Sequence, residues 1–279
     1  MSLIEVARKD LMDYRRTKVI WFVLFAYAGF AAIYMFISTD QYQYYETARL
    51  AVINILSSVV FVGSVLIPLV ALVAAYLAIA GERETGSAKF LLGLPNTRRD
   101  VIFGKFLSRS LVMAFGIISA FVVIAMFLLT IHPVFPVIPY LVMFGLMLLY
   151  AVTFVAIVIG ISASVASKSE AIAVGFGLYF VLYFLTLFVS LGDIVRTVHA
   201  DILGLTEAPV LYQFASQLVP NQALMRGLSA LGTEGISIGG LPSDAPFYVQ
   251  AEFMPLILSG WIVVPLLFGY YRFRTADVS

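Results

Sequence analysis

The chain has 279 residues, of which 62% are hydrophobic and 12% are charged, and its formal net charge is +1. Soluble domains carry about 25% charged residues, so this composition excludes an ordinary soluble domain and predicts an all-α polytopic membrane protein. Cysteine is absent, which excludes disulfide bonds, zinc–thiolate sites and cysteine nucleophiles.

The N-terminal segment 1–18 is predicted to form an amphipathic helix that lies in the membrane interface. Apolar side chains recur along it at helical spacing, and charges of opposite sign alternate at intervals of four residues. A soluble N-terminal helix is the alternative, which is less favoured because an apolar run begins directly after Lys18.

Runs without charged residues predict six membrane spans, because one helical span needs about 20 residues. The longest run, between Arg109 and Lys168, holds two spans with a turn at His132 and Pro133. The predicted spans are 19–39, 50–81, 108–131, 138–164, 171–192 and 253–271. Residues 1–279 are therefore expected to form a single transmembrane domain.

The distribution of basic residues predicts how these spans are oriented. Of the 17 lysines and arginines, all but Arg49, Arg196 and Arg226 fall on one side of the predicted spans. The positive-inside rule assigns that side to the cytoplasm. Both termini and the segment 82–107 are thus expected in the cytoplasm, with the segment 193–252 outside a multi-pass protein of the cell membrane.

Residues 82–107, between the second and third predicted spans, mix charges with large apolar side chains. Apolar side chains on such a loop need a cover, which the protein itself or a partner protein would supply. Pro95 is expected to end the helix that carries them, and Thr97 with Asp100 predicts a capping box that begins the next helix. A solvated basic loop is the alternative, but it does not account for the apolar residues, which are Phe90, Leu91, Leu92 and Leu94.

This segment resembles the signature of ABC transporter permeases of the type-two exporter (ABC-2 type) superfamily. The matching positions are Glu82, Glu84, Gly86, Leu91, Leu92, Pro95, Arg98, Gly104 and Lys105. In that family the segment is a coupling helix that docks on a separate ATPase subunit. The resemblance therefore implies ATPase contacts at Glu82, Glu84, Gly86, Leu91, Leu92, Pro95, Arg98 and Lys105. We expect Phe90 and Arg99 to join them, because Phe90 is one of the apolar residues that need a cover and Arg99 is a cation in the first turn of a helix, where the helix dipole disfavours it.

The resemblance also implies how the protein works. The chain has no Gly-x-x-x-x-Gly-Lys-Ser/Thr motif, so it is not expected to be an enzyme or to hold a cofactor, and ATP and Mg would lie on the ATPase. We expect a homodimer in the lipid bilayer with two ATPase subunits, exporting a substrate and binding no nucleic acid. The alternatives are a permease that serves an extracytoplasmic partner, and a passive channel or membrane scaffold.

The segment 193–252 is too apolar for a free outer loop and too interrupted for a full span. Its stretches 194–205 and 210–231 have helical character, and Pro220 with Asn221 interrupts the second. We expect short re-entrant helices over the outer end of the pathway, with Pro220 and Asn221 at an outer gate, because broken backbone at membrane depth must face protein or water. A small external globular domain is the alternative.

Two further sets of residues have a structural interpretation beside a functional one. Polar side chains within the spans more often join helices than bind substrate; they are Asn54, Ser57, Ser58, Tyr76, Thr153, Ser162, Thr186 and Ser190. Met126, Met143 and Met147 carry thioethers that suit Cu(I). Apolar packing is the favoured interpretation of these methionines, because the chain offers no cysteine and few histidines to complete a copper site.

Overall fold

The structure, a computed structural model, describes residues 3–15, 18–38, 44–84, 97–229, 231 and 245–275. Over these residues the chain is helical and contains no strand, which confirms the all-α prediction. Residues 85–96, the centre of the predicted coupling segment, lie outside the described residues, as do residues 232–244 of the predicted outer loop.

The α-helices follow one another in a simple order along the chain. They are α1 Leu3–Arg15, α2 Lys18–Ile37, α3 Ala48–Ala75, α4 Ala80–Glu84, α5 Arg98–Thr130, α6 Val137–Ser164, α7 Lys168–Tyr179, α8 Leu191–Arg196, α9 Pro209–Gln217, α10 Pro220–Ser229 and α11 Met254–Thr275. The π-helical turns Phe180–Phe184 and Thr197–Ile202 extend α7 and α8. The 3-10 turns are Leu185–Leu187, Phe247–Val249 and Ala251–Phe253.

Five stretches of the described residues are long and apolar enough to cross a membrane: Ala48–Glu84, Arg98–Thr130, Val137–Ser164, Lys168–Leu187 and Ala251–Thr275. They overlap the predicted spans two to six. The predicted first span falls on α2, whose described apolar part, Tyr27–Ile37, is shorter than a span. The number of six spans therefore stays a prediction.

Two helix starts show how the sequence sets these boundaries. At α5 the Asp100 N–H donates to Thr97 Oγ1 at 3.2 Å, and the Thr97 N–H donates back to Asp100 Oδ2 at 3.0 Å. The predicted capping box is thereby confirmed. The span predicted at 171–192 instead runs from Lys168 to Leu187, because Ser190 caps a new helix by accepting the Asp193 N–H at 3.0 Å.

Helix α6 lies at the centre of the molecule. In its most apolar stretch 67% of the residues are buried, the largest share among the five candidate spans. Tyr150, fully buried, donates to the Ser64 carbonyl of α3 at 2.9 Å, and Thr153 donates to the Leu258 carbonyl of α11 at 3.1 Å. These polar side chains join helices, as expected for hydroxyls in an apolar surround.

Helices α6 and α11 approach each other at two glycines. A Cβ atom added at Gly160 would overlap the Pro265 carbonyl oxygen, and one added at Gly269 would lie 2.7 Å from Gly160 Cα. Small residues at such crossings let the backbones pack closely. This contact fixes α11 against the central helix.

We predict that Gly160→Ala lowers the stability of the protein, because the new methyl group has to displace the α11 backbone. Overpacking of this kind costs about 1–3 kcal/mol. Gly145→Ala is the matched control on α6, since a Cβ atom there meets nothing within 4 Å and alanine favours helix. Thermal unfolding in detergent measures both variants, and equal midpoints for them would contradict the prediction.

Candidate functional site

The candidate site is the charged end of the helix bundle, formed by α1, α4, the start of α5, the α6–α7 turn and the end of α11. Its first component is a bend between α3 and α4. The Ile79 and Ala80 N–H groups both donate to the Ser162 hydroxyl of α6, at 3.0 and 3.1 Å, and that hydroxyl donates to the Tyr76 carbonyl at 2.8 Å. One fully buried side chain therefore anchors this bend to the central helix.

Buried ion pairs join α5 to both α4 and α1. Lys105 Nζ lies 2.8 Å from Glu82 Oε1 and 3.4 Å from Asp10 Oδ1, and Arg109 Nη2 lies 3.0 Å from Asp10 Oδ1. Lys105 and Arg109 are 4% and 8% exposed and stand one helical turn apart on α5. Burial makes each of these charges depend on its partners, because a desolvated charge left alone is costly.

The remaining carboxylate of α4 holds the beginning of α7. The Lys168 N–H donates to Glu84 Oε2 at 2.7 Å, and Lys168 Nζ lies 3.9 Å from Glu84 Oε1. A negative charge at a helix N-terminus is favourable because it faces the positive end of the helix dipole. Arg83 adds a second link, since its Nη1 donates to the Val165 carbonyl at 2.6 Å.

The start of α5 is fixed to the end of α11 by Arg98. Its Nη1 donates to the carbonyl groups of Phe273 and, at 3.0 Å, Arg274. The same guanidinium lies 5.5 Å from the centre of the Phe273 ring, within the range of a cation–π contact. Arg99 instead turns along α5, where it lies 5.9 Å from the Phe103 ring centre.

The structure thus brings together part of the predicted coupling set. Glu82, Glu84, Arg98, Arg99 and Lys105 meet at the charged end. The other predicted contacts, Gly86, Phe90, Leu91, Leu92 and Pro95, lie outside the described residues. Sequence reasoning missed the residues that contact and anchor α4 and Lys105 at the charged end, which are Asp10, Arg109, Ser162 and Lys168.

The predicted outer gate lies at the opposite end of the bundle. Pro220 begins α10, and Asn221, 5% exposed, donates through Nδ2 to Thr186 Oγ1 at 3.3 Å. Ala223 and Leu224 are fully buried, where α10 packs against α3, α6 and α11. Helix α10 therefore shares the core of the spans.

The methionines do not form a metal site in the described part of the chain. Met143 and Met147 are fully buried, and Met126 is 61% exposed on a different helix. The Met147 methyl group lies against Gly63, and none of the described His, Asp and Glu residues form a group of three that could hold a metal. Packing explains Met143 and Met147 without a ligand.

Comparison with known proteins identifies relatives of the whole chain. Residues 4–278 match the family described as ABC-2 family transporter protein. The chain is 29% identical to the probable ABC transporter permease protein NosY of Pseudomonas aeruginosa, over 96% of this chain and 97% of that protein. It is 27% identical to the protein of the same name from Stutzerimonas stutzeri, over 96% of each chain.

We predict that Asp10→Asn strongly destabilises the protein, because it leaves Lys105 and Arg109 buried without their shared carboxylate. Breaking a buried pair from one side costs about 3–5 kcal/mol. Asp13→Asn removes the same charge from an exposed position on α1 and should change stability little. Denaturant unfolding of the full-length protein compares the two, and indistinguishable curves would refute the role of Asp10.

Proposed function

Because the chain belongs to the ABC-2 family of transporter proteins, we propose that it is the permease subunit of an ATP-driven transporter whose ATPase is a separate subunit. The observation that carries this proposal is the convergence of contacts on α4. Within its five residues, Glu82 pairs with Lys105 of α5, while Arg83 and Glu84 bind the α6–α7 turn and the start of α7. Residues 85–96, the centre of the predicted coupling segment 82–107, follow directly.

The contacts of α4 suggest how ATP hydrolysis is coupled to the membrane. ATP and Mg bind on the partner, and closure of the ATPases displaces residues 85–96 and α4 with them. Glu82 carries this displacement to Lys105 on α5, and through Lys105 to Asp10 on α1. Glu84 carries it to the first turn of α7, so several membrane helices respond to one movement.

The working unit in this proposal is a homodimer of six-span subunits with two ATPase subunits, acting as an exporter in the cell membrane. Helix α2 supplies the first span, and both termini lie in the cytoplasm. The span Lys168–Leu187 supports the dimer, since only 22% of the residues in its most apolar stretch are buried within one copy. Four exposed phenylalanines at four-residue intervals offer it a contact surface: Phe176, Phe180, Phe184 and Phe188.

The topology is testable because the chain has no cysteine. We predict that Ser169→Cys, exposed beside the α6–α7 turn, reacts with a membrane-impermeant maleimide only after the cells are permeabilised. Thr206→Cys, exposed between α8 and α9, should react in intact cells. Labelling of position 169 in intact cells would contradict the orientation on which ATPase docking depends.

Docking itself is tested by Leu91→Asp, a prediction from sequence. If Leu91 fills a groove on the ATPase, its burial is worth roughly 1.5–3 kcal/mol, so its loss weakens docking about ten- to a hundredfold. The added charge should abolish co-purification of the ATPase. Leu205→Asp, at a 51% exposed position in the predicted outer segment, should retain it. A Leu91→Asp protein that still carries its ATPase would overturn the assignment of this segment.

A further inference from the structure

A cleft of about 270 Å³ opens between α6, α7 and α11 near the charged end. Its walls include Ile161 and Val165 of α6, Val174 and Leu178 of α7, and Val264 and Phe268 of α11. The polar groups of the lining are engaged within the chain. Ser164 Oγ donates to the Gly160 carbonyl, and Trp261 Nε1 donates to the Leu218 carbonyl, each at 2.7 Å.

Hydrocarbon is the filling that suits this cleft. Water occupies about 30 Å³ per molecule in the liquid and needs two to four polar partners in a cavity, and the cleft walls offer it side chains that are apolar or already bonded. One turn of a partner helix is about 5.4 Å long and about 10–12 Å wide with its side chains, so it occupies roughly 400 Å³ or more and exceeds this volume. A single acyl chain lying along the helices fits it.

Cations gather where the cleft meets the charged end. Arg83 donates to the carbonyl of Val165, a wall residue, and Arg272 follows Phe268 by one turn of α11. Arg98 and Arg272 lie close enough to Arg83 to repel its charge, and Glu170 lies close enough to attract it. Lys168 also lies here, 3.9 Å from Glu84. Among the described residues, the cations Arg83, Arg98, Lys168 and Arg272 thus lie at this end of the cleft with the carboxylates of Glu84 and Glu170.

We propose that this cleft binds an anionic phospholipid, with an acyl chain between α6, α7 and α11 and the phosphate group at Arg83, Lys168 and Arg272. Basic pockets between membrane helices recognise acidic headgroups in this way. The headgroup would contact Arg83 and Lys168, which also link α4 to the α6–α7 turn. Bound lipid would therefore stabilise that link.

Trp261 lines the cleft and is one of two tryptophans in the protein. Its fluorescence can therefore report directly on an acyl chain bound there. Full-length Trp21→Phe protein is placed in phosphatidylcholine nanodiscs that contain phosphatidylglycerol or phosphatidylcholine with brominated acyl chains. Bromine quenches tryptophan fluorescence on contact. We expect brominated phosphatidylglycerol to quench Trp261 at a several-fold lower mole fraction than brominated phosphatidylcholine.

Matched variants separate charge recognition from cleft filling. Arg272→Gln should raise the mole fraction of brominated phosphatidylglycerol for half-quenching about fivefold. Arg274→Gln, with the same net charge and a side chain on another face of α11, should not. Val174→Phe should reduce quenching by both lipids. Val181→Phe, at a position with similar exposure outside the cleft, should leave it unchanged.

Three outcomes would overturn the proposal. Equal quenching by the two lipids would show a groove that accepts any acyl chain, and no quenching by either would show that protein covers the cleft. Relief of quenching by millimolar inorganic phosphate would show a site for the free anion.

Native mass spectrometry of the unaltered protein provides a second measurement. Phosphatidylglycerol should remain bound to it and be lost from Arg272→Gln but not from Arg274→Gln.

Discussion

A lysine ammonium removed from water requires opposite charge around it, and at Lys105 that charge comes from two different helices. Asp10 reaches it from α1 and Glu82 from α4, while Arg109 shares Asp10. None of these four residues can move far alone, because each would leave a desolvated charge behind. The charged end of the molecule therefore behaves as one connected unit, although its parts come from distant places in the chain.

The same constraint acts on neutral groups deeper in the bundle. An apolar surround supplies no water to polar atoms, so buried hydroxyls such as those of Ser162 and Tyr150 bond to backbone groups. Ser162 ties three backbone groups of the α3–α4 bend to α6, and Tyr150 ties α6 to α3. Together with the glycine contact between α6 and α11, these bonds hold the central helix in one position relative to its neighbours.

How much of the fold and of the charged end could be predicted depends on how far apart in the sequence the interacting residues lie. The helical class and most spans follow from apolar runs, and the Thr97–Asp100 capping box follows from three-residue spacing. Lys105 was placed in the site by a resemblance, but its partner Asp10 lies 95 residues away, and no local pattern pairs them. Arg109 marked the edge of a span in the sequence, and its burial beside Asp10 depends on how α1 packs on α5. The role of Leu91 stays a prediction.

Helix α7 and its extension connect the two ends of the bundle. The first turn is held by Glu84 of α4, and Thr186 near the other end accepts a hydrogen bond from Asn221 of α10. Between them lies the π-helical turn Phe180–Phe184, whose wider ring departs from α-helical hydrogen bonding. In the proposed coupling, a rotation applied at one end of α7 reaches the other end only through these five residues. A substitution that restores regular α-helix there would change how far a rotation of one end turns the other, and it would leave the contacts of Glu84 and Asn221 intact.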